Sequence, residues 1–150
     1  MNKTEAQARL KAARSAHLQW RGRAQAIVAG VEIDESKIPV MHTDCQFGQW
    51  YYGEGQFLST LPAYRAIEAP HAELHGKYKE LFDALHAEDD RSALKKMFGG
   101  GDFDAEKKQN ARDLLEELNT ISVNLLGCID DLEQAIDALT DEDCARLSGG

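Results

Sequence analysis

The chain has 150 residues, with 17 basic and 26 acidic side chains and a formal net charge of -9 at pH 7. That length suits one domain, residues 1–150, able to bury roughly 70% of its unfolded surface and so to hold a core without cross-links. The acidity opposes binding to nucleic acid or an anionic membrane, both of which reward a basic face, and no apolar run approaches the roughly 20 residues of a membrane span.

Thr4 and Gln7 have capping-box spacing and predict a helix from Thr4 to about Val28, ahead of Gly30. Its apolar stripe, Leu10, Ala13, His17, Trp20, Ala24 and Ile27, advances in steps of three and four, the period of a helix packed in a bundle. His17 therefore faces a core, where an imidazole needs either a metal or a hydrogen-bonding partner. From 29 to 42 the pattern fails, and Gly30, Ser36 and Pro39 predict a loop. Thr43 and Gln46 repeat the capping-box spacing, which predicts a short helix to about Tyr52 with Cys45 in its first turn. Free N–H groups and the helix dipole there would favour the thiolate.

Ser59 and Pro62 predict the next helix start, and Pro70 interrupts or restarts it. After Pro70, the residues His71, Leu74, Tyr78, Leu81 and Leu85 trace one face, widened by His75 and Phe82, while His86 near the end faces water or caps the dipole. A short helix over 90–98 and a break at Gly99, Gly100 and Gly101 follow. The run Gly100-Gly101-Asp102-Phe103 is superficially similar to the G-G-D-E-F signature of diguanylate cyclases, but the glutamate is missing and that domain needs a longer chain. Asp102 is instead expected to cap a long helix over about 102–139. Its stripe is Ala111, Leu114, Leu118, Ile121, Leu125, Cys128, Leu132, Ala135 and Leu139. Leu115, Ile129 and Ile136 add a second edge, which predicts contact with another protomer as well as with the core. Thr140 is expected to cap a final short helix holding Cys144, an incidental thiol near the end of the chain. These elements predict an all-α fold, an antiparallel four-helix-type bundle with additional short helices. Three widely spaced cysteines, with no signal-peptide pattern ahead of them, fit a reducing cytoplasm.

His71 and His75, spaced H-x-x-x-H, set two imidazoles one turn apart on one helix face, a two-point claw for a transition metal. A thiolate from Cys45 joined to imidazoles favours zinc over hard cations, which prefer oxygen donors. Two completions of the site remain: His17 on its core stripe, or His42 through His42-x-x-Cys45. Helical phase favours His17, because His42 lies in the loop ahead of the expected cap. Asp44, Gln46 and Glu73 are near enough in sequence to support the ligands. Trp20 and Trp50 are expected to pack around the metal with their indole N–H groups partnered, and Gly48 either permits a close approach or is a tolerated helix glycine costing about 1 kcal/mol.

Three segments, His17-Leu18-Gln19-Trp20, Cys45-Gln46-Phe47-Gly48-Gln49-Trp50 and His71-Ala72-Glu73-Leu74-His75, occur in that order and at compatible separations. Together they resemble the chemoreceptor zinc-binding domain, from about Ala13 to Leu81. In that family the histidine of H-x-x-W, the cysteine of C-x-x-G-x-W and both histidines of H-x-x-x-H bind one zinc ion, which implies His17, Cys45, His71 and His75 as zinc ligands here. The resemblance further implies a helical bundle that forms a symmetric homodimer and regulates an output, commonly a chemoreceptor signalling segment or a diguanylate cyclase. Some members sense oxidants such as hypochlorous acid through the ligand cysteine. The region after Gly99 carries no family signature, and no output module is present. The signal is therefore expected to pass through oligomeric state, a separate signalling protein, or another part of a longer protein.

Four protein ligands close a zinc shell and leave no position for a substrate water, so the chain is expected not to be an enzyme. It is expected to be a zinc-binding sensory module whose metal occupancy or Cys45 oxidation alters helix packing. One alternative is a protein-interaction scaffold with a purely structural zinc site. Another is a two-metal bundle enzyme or oxygen carrier, but the only E-x-x-H is Glu68-Ala69-Pro70-His71, with no second copy.

Overall fold

The computed structural model describes residues 1–31, 42–87 and 103–149. The expected helix over 90–98, the glycine break at 99–101, the Asp102 cap and most of the 29–42 loop lie outside these residues. Among the described residues every regular element is helical, as expected for an all-α chain, and no helix is long and apolar enough to cross a membrane.

Helix α1 (Lys3–Val28) starts earlier than Thr4. Asn2 is its cap: the Asn2 side chain accepts from the Glu5 N–H at 2.9 Å, and the Glu5 carboxylate accepts from the Asn2 N–H at 2.9 Å. This box has the spacing proposed for Thr4 and Gln7, and it also sets a negative charge in the first turn, where the helix dipole favours it. Gly30 ends the helix at φ 91. Its N–H bonds Ile27 at 3.0 Å and that of Val31 bonds Ala26 at 2.9 Å, the paired bonds of a Schellman motif.

Four elements follow: α2 (Gln46–Tyr52), a 3-10 helix (Glu54–Leu58), α3 (Pro62–Arg65) and α4 (Glu68–Leu85). The helix that starts at Pro62 ends at Arg65 and a new one starts at Glu68, so the expected restart near Pro70 is present, with Pro70 in the first turn of α4. Pro70 is the third helical residue, where a missing N–H loses nothing because first-turn donors have no intrahelical acceptor. Tyr51 and Tyr64 hold α2 against α3, with rings stacked at 4.1 Å. The Tyr51 hydroxyl donates to the Tyr64 carbonyl at 2.8 Å, and the Tyr64 hydroxyl donates to the Tyr51 carbonyl.

The long helix α5 (Phe103–Asp137) packs along both α1 and α4, and α6 (Asp141–Gly149) packs against the 3-10 helix. Side-chain pairs give the directions. Lys3 Nζ donates to the carbonyls of Asp137 and Leu139 at 2.8 Å, Arg14 pairs with Glu133 at 2.8 Å, and Arg21 bonds Asn119 at 3.0 Å, so α1 and α5 run antiparallel. His17 meets His71 and Trp20 meets Tyr78, so α1 and α4 run in the same direction.

The buried residues of α5 are Ala111, Leu118, Ile121, Ser122, Leu125, Ile129, Leu132 and Ile136. The expected stripe is buried at Ala111, Leu118, Ile121, Leu125 and Leu132 and is corrected at Cys128 and Ala135, where the seam shifts to Ile129 and Ile136. Cys128 and Ala135 are only half-buried, whereas Ile129 and Ile136, assigned to an outer edge, are 0% exposed. Turning α5 by one residue exchanges a thiol and a methyl for two isoleucines in the core, the larger apolar burial. Thr140 caps α6 as expected, accepting from the Asp143 N–H at 3.0 Å. Cys144 is not incidental, because it is buried beneath that helix.

Candidate metal centre

The parallel run of α1 and α4 brings the core stripe of one against the H-x-x-x-H face of the other, and the N-terminus of α2 closes over the pair. One donor atom each from His17, Cys45, His71 and His75 lies within 4.8 Å of the other three. His17, His71 and His75 are all buried, and Cys45 is half-buried. The donors thus come from three separate segments and meet inside the protein.

His17 is oriented by its own helix. Its Nδ1 lies 2.7 Å from the carbonyl of Ala13, one turn earlier. A carbonyl only accepts, so Nδ1 carries the proton and Nε2 presents its lone pair to the cluster. Nothing in the motif pattern points to Ala13, although its position four residues before His17 is the available signal.

Cys45 is the N-cap of α2, not a residue of its first turn, and Thr43 is not the cap. Its Sγ accepts from the Gly48 N–H at 3.2 Å and lies 3.3 Å from His71 Nε2. The thiol is not acidified, contrary to what its place at a helix start implies. Burial raises its pKa, and the N–H groups of Gly48 and Phe47 only partly oppose this. Desolvation of the whole side chain outweighs a few oriented dipoles.

The imidazoles shift the opposite way for the same reason. Burial pushes His17 below its ordinary value despite the Ala13 carbonyl. His71 falls to about 2, first through burial and then through the neighbouring imidazoles of His17, His75 and His42. His17 and His71 therefore resist a second proton, and each keeps one nitrogen lone pair free for a metal. Three imidazoles and one thiol without a carboxylate suit zinc and disfavour magnesium or calcium.

The expected supporting carboxylates do not enter: Asp44 and Glu73 are exposed, and Asp44 acts on Cys45 through its charge alone. Trp20 walls the site, its ring 4.5 Å from that of His75 and stacked on Tyr78 at 4.5 Å. Its N–H, contrary to expectation, has no hydrogen-bond partner among the described residues, whereas the N–H of Trp50 donates to the sulfur of Met1 at 3.1 Å. Gln46 is exposed beside a cavity of about 410 Å³ between α1 and α2, which reaches His17, Cys45 and His75.

Gly48 permits a close approach, though of a turn and not of a helix. A Cβ there would overlap the carbonyl of His42, which accepts from the Cys45 thiol at 3.4 Å. His42 lies outside the four-donor cluster, its Nε2 3.0 Å from the Tyr52 hydroxyl. His86 is the C-cap of α4 and stacks on Phe82 at 4.3 Å, far from this chemistry in sequence and role.

Neither the curated proteins nor the solved structures include a match to this chain. A match does exist for the segment from the first donor of the cluster to just past the last. Residues 17–82 match the family model of the chemoreceptor zinc-binding domain.

Proposed function

We propose that the chain is a zinc-responsive regulatory module, one domain over residues 1–150, in which His17, Cys45, His71 and His75 hold a single zinc ion. The observation that carries this reading is the convergence of four donors within 4.8 Å from three segments. Bound zinc would supply the positive charge that stabilises a thiolate in this buried place. The protein's own residues set the rest: the Ala13 carbonyl fixes the His17 tautomer, the Gly48 N–H steadies Cys45, and α4 holds His71 and His75 in register. With all four positions filled by side chains, no place remains for a substrate, and the module is not an enzyme.

The signal enters as metal occupancy or as oxidation of Cys45. A peroxide-class oxidant takes the thiolate to a sulfenate and leaves as water, which weakens the tie between α2 and the two long helices. The regulated state is a symmetric homodimer of helical bundles in the cytoplasm, and the output is of the chemotaxis or cyclic-di-GMP type, reached through a separate signalling protein. Leu18 and Val123, 47% and 60% exposed, support the dimer. Elemental analysis of metal-replete protein should find about one zinc per chain, and His75→Ala should abolish tight binding. Dimer packing followed across a zinc titration should change; a response that stays flat once the protein is folded would favour the scaffold with a purely structural zinc.

A further inference from the structure

His42 stands beside the cluster at nearly the distance of a ligand already in it. Its ring centroid lies 5.7 Å from that of His71 and 6.5 Å from that of His75. For His17 the same two separations are 5.2 and 6.4 Å. What keeps His42 out is its present hydrogen bond to the Tyr52 hydroxyl at 3.0 Å, with the Glu68 carboxylate 3.9 Å away. Its backbone is tied to the same spot from the other side, where its carbonyl accepts from the Cys45 thiol and sits against Gly48, which has no side chain to displace it. A fifth donor is thus anchored next to the one ligand that chemistry can remove.

We infer that His42 is a reserve ligand: when the Cys45 thiolate is lost, its imidazole leaves Tyr52 and joins His17, His71 and His75 in a four-imidazole site. The inference rests on the zinc reading above and extends it. Four neutral imidazoles are a competent donor set for zinc or cobalt. The exchange keeps the metal in the protein while moving the turn at residues 42–45, so that loss of the thiolate is reported as a change of shape and not as an empty site. A single oxidised thiol would then act reversibly, with the metal retained for the return.

Cobalt-loaded full-length protein tests this by absorption spectroscopy, with native mass spectrometry of the zinc form as a second readout. The parent should show a sulfur-to-cobalt charge-transfer band together with the visible bands of a tetrahedral site. Cys45→Ala should lose the charge-transfer band, keep the tetrahedral bands and retain one metal per chain. Cys45→Ser serves the same purpose should the alanine variant not fold. Adding His42→Gln to either should weaken binding on the order of ten- to a hundredfold, whereas His42→Gln in the parent should leave affinity unchanged. Tyr52→Phe, which releases the imidazole, should tighten metal binding in the Cys45→Ala background. Metal loss from Cys45→Ala as complete as from the double variant would overturn the inference, as would a loss of binding in His42→Gln alone. A parent that binds no metal would instead sink the zinc reading itself, and the two failures are distinct.

Discussion

Gly48 shows how one residue position couples folding to the site. Its N–H is committed to Cys45 and its missing Cβ makes room for the His42 carbonyl. Gly48→Ala should therefore destabilise the protein by about 1–3 kcal/mol, the usual cost of overpacking a tight contact, and should weaken metal affinity at the same time. Gly76 is the internal control, because it is exposed on α4 and an added methyl group there would meet nothing within 4 Å. Gly76→Ala should raise stability by up to about 1 kcal/mol through helix propensity. Chemical denaturation of both variants in the metal-free state checks the pair, and equal effects would contradict the cradle. At this scale the H-x-x-x-H pair was legible in the sequence because one helix sets its geometry. The state of the Cys45 thiol was not, because its burial depends on residues of α1 and α4 far away in the chain.

Among the elements, α5 carries most of the packing, and its seam decides which side chains matter. Leu125 and Ile129 are 0% exposed, on a helix that packs against both α1 and α4. Leu125→Ala should cost about 2–5 kcal/mol through lost burial and a residual cavity. Cys128→Ala, one residue off the seam, should cost well under that, and thermal unfolding of the two variants would expose an error in the assigned phase if their order were reversed. The sequence revealed the existence and length of this helix through its three-four alternation. It misplaced the C-terminal half of the seam because Cys128 and Ala135 continue the alternation as well as Ile129 and Ile136 do, and only the presence of helices on two sides selects the larger set. The α1 start was misplaced for a related reason. Thr4 with Gln7 and Asn2 with Glu5 are both admissible boxes, and the second prevails with the stronger cap and a charged partner.

For the whole molecule, the question is what holds when the metal is removed. The core formed by α1, α4 and α5 buries Leu10, Leu74, Leu81, Leu118 and Leu132 without help from the site, so chelation should lower the melting temperature yet leave the helical circular dichroism largely intact. The amides at the start of α2 should exchange faster, because the tie through Cys45 is lost there while Phe47, Trp50 and the Tyr51–Tyr64 clamp keep the rest of α2 packed. In the proposed dimer the change would reach the other protomer along one edge. Arg14 and Arg21 of α1 pair with Glu133 and Asn119 of α5, and Leu18 lies between the two arginines while Val123 lies between their two partners. Both apolar side chains are exposed, framed by polar pairs that fix the helices beneath them. An apolar centre with a polar frame is the pattern of a self-complementary contact. Val123→Glu would place like charges face to face across a two-fold axis without disturbing the core, so it should convert a dimer to monomers while zinc stoichiometry stays the same. Light scattering coupled to size-exclusion chromatography reads the mass directly, and a dimer that survives Val123→Glu and Leu18→Glu together would move the interface off the α1–α5 edge.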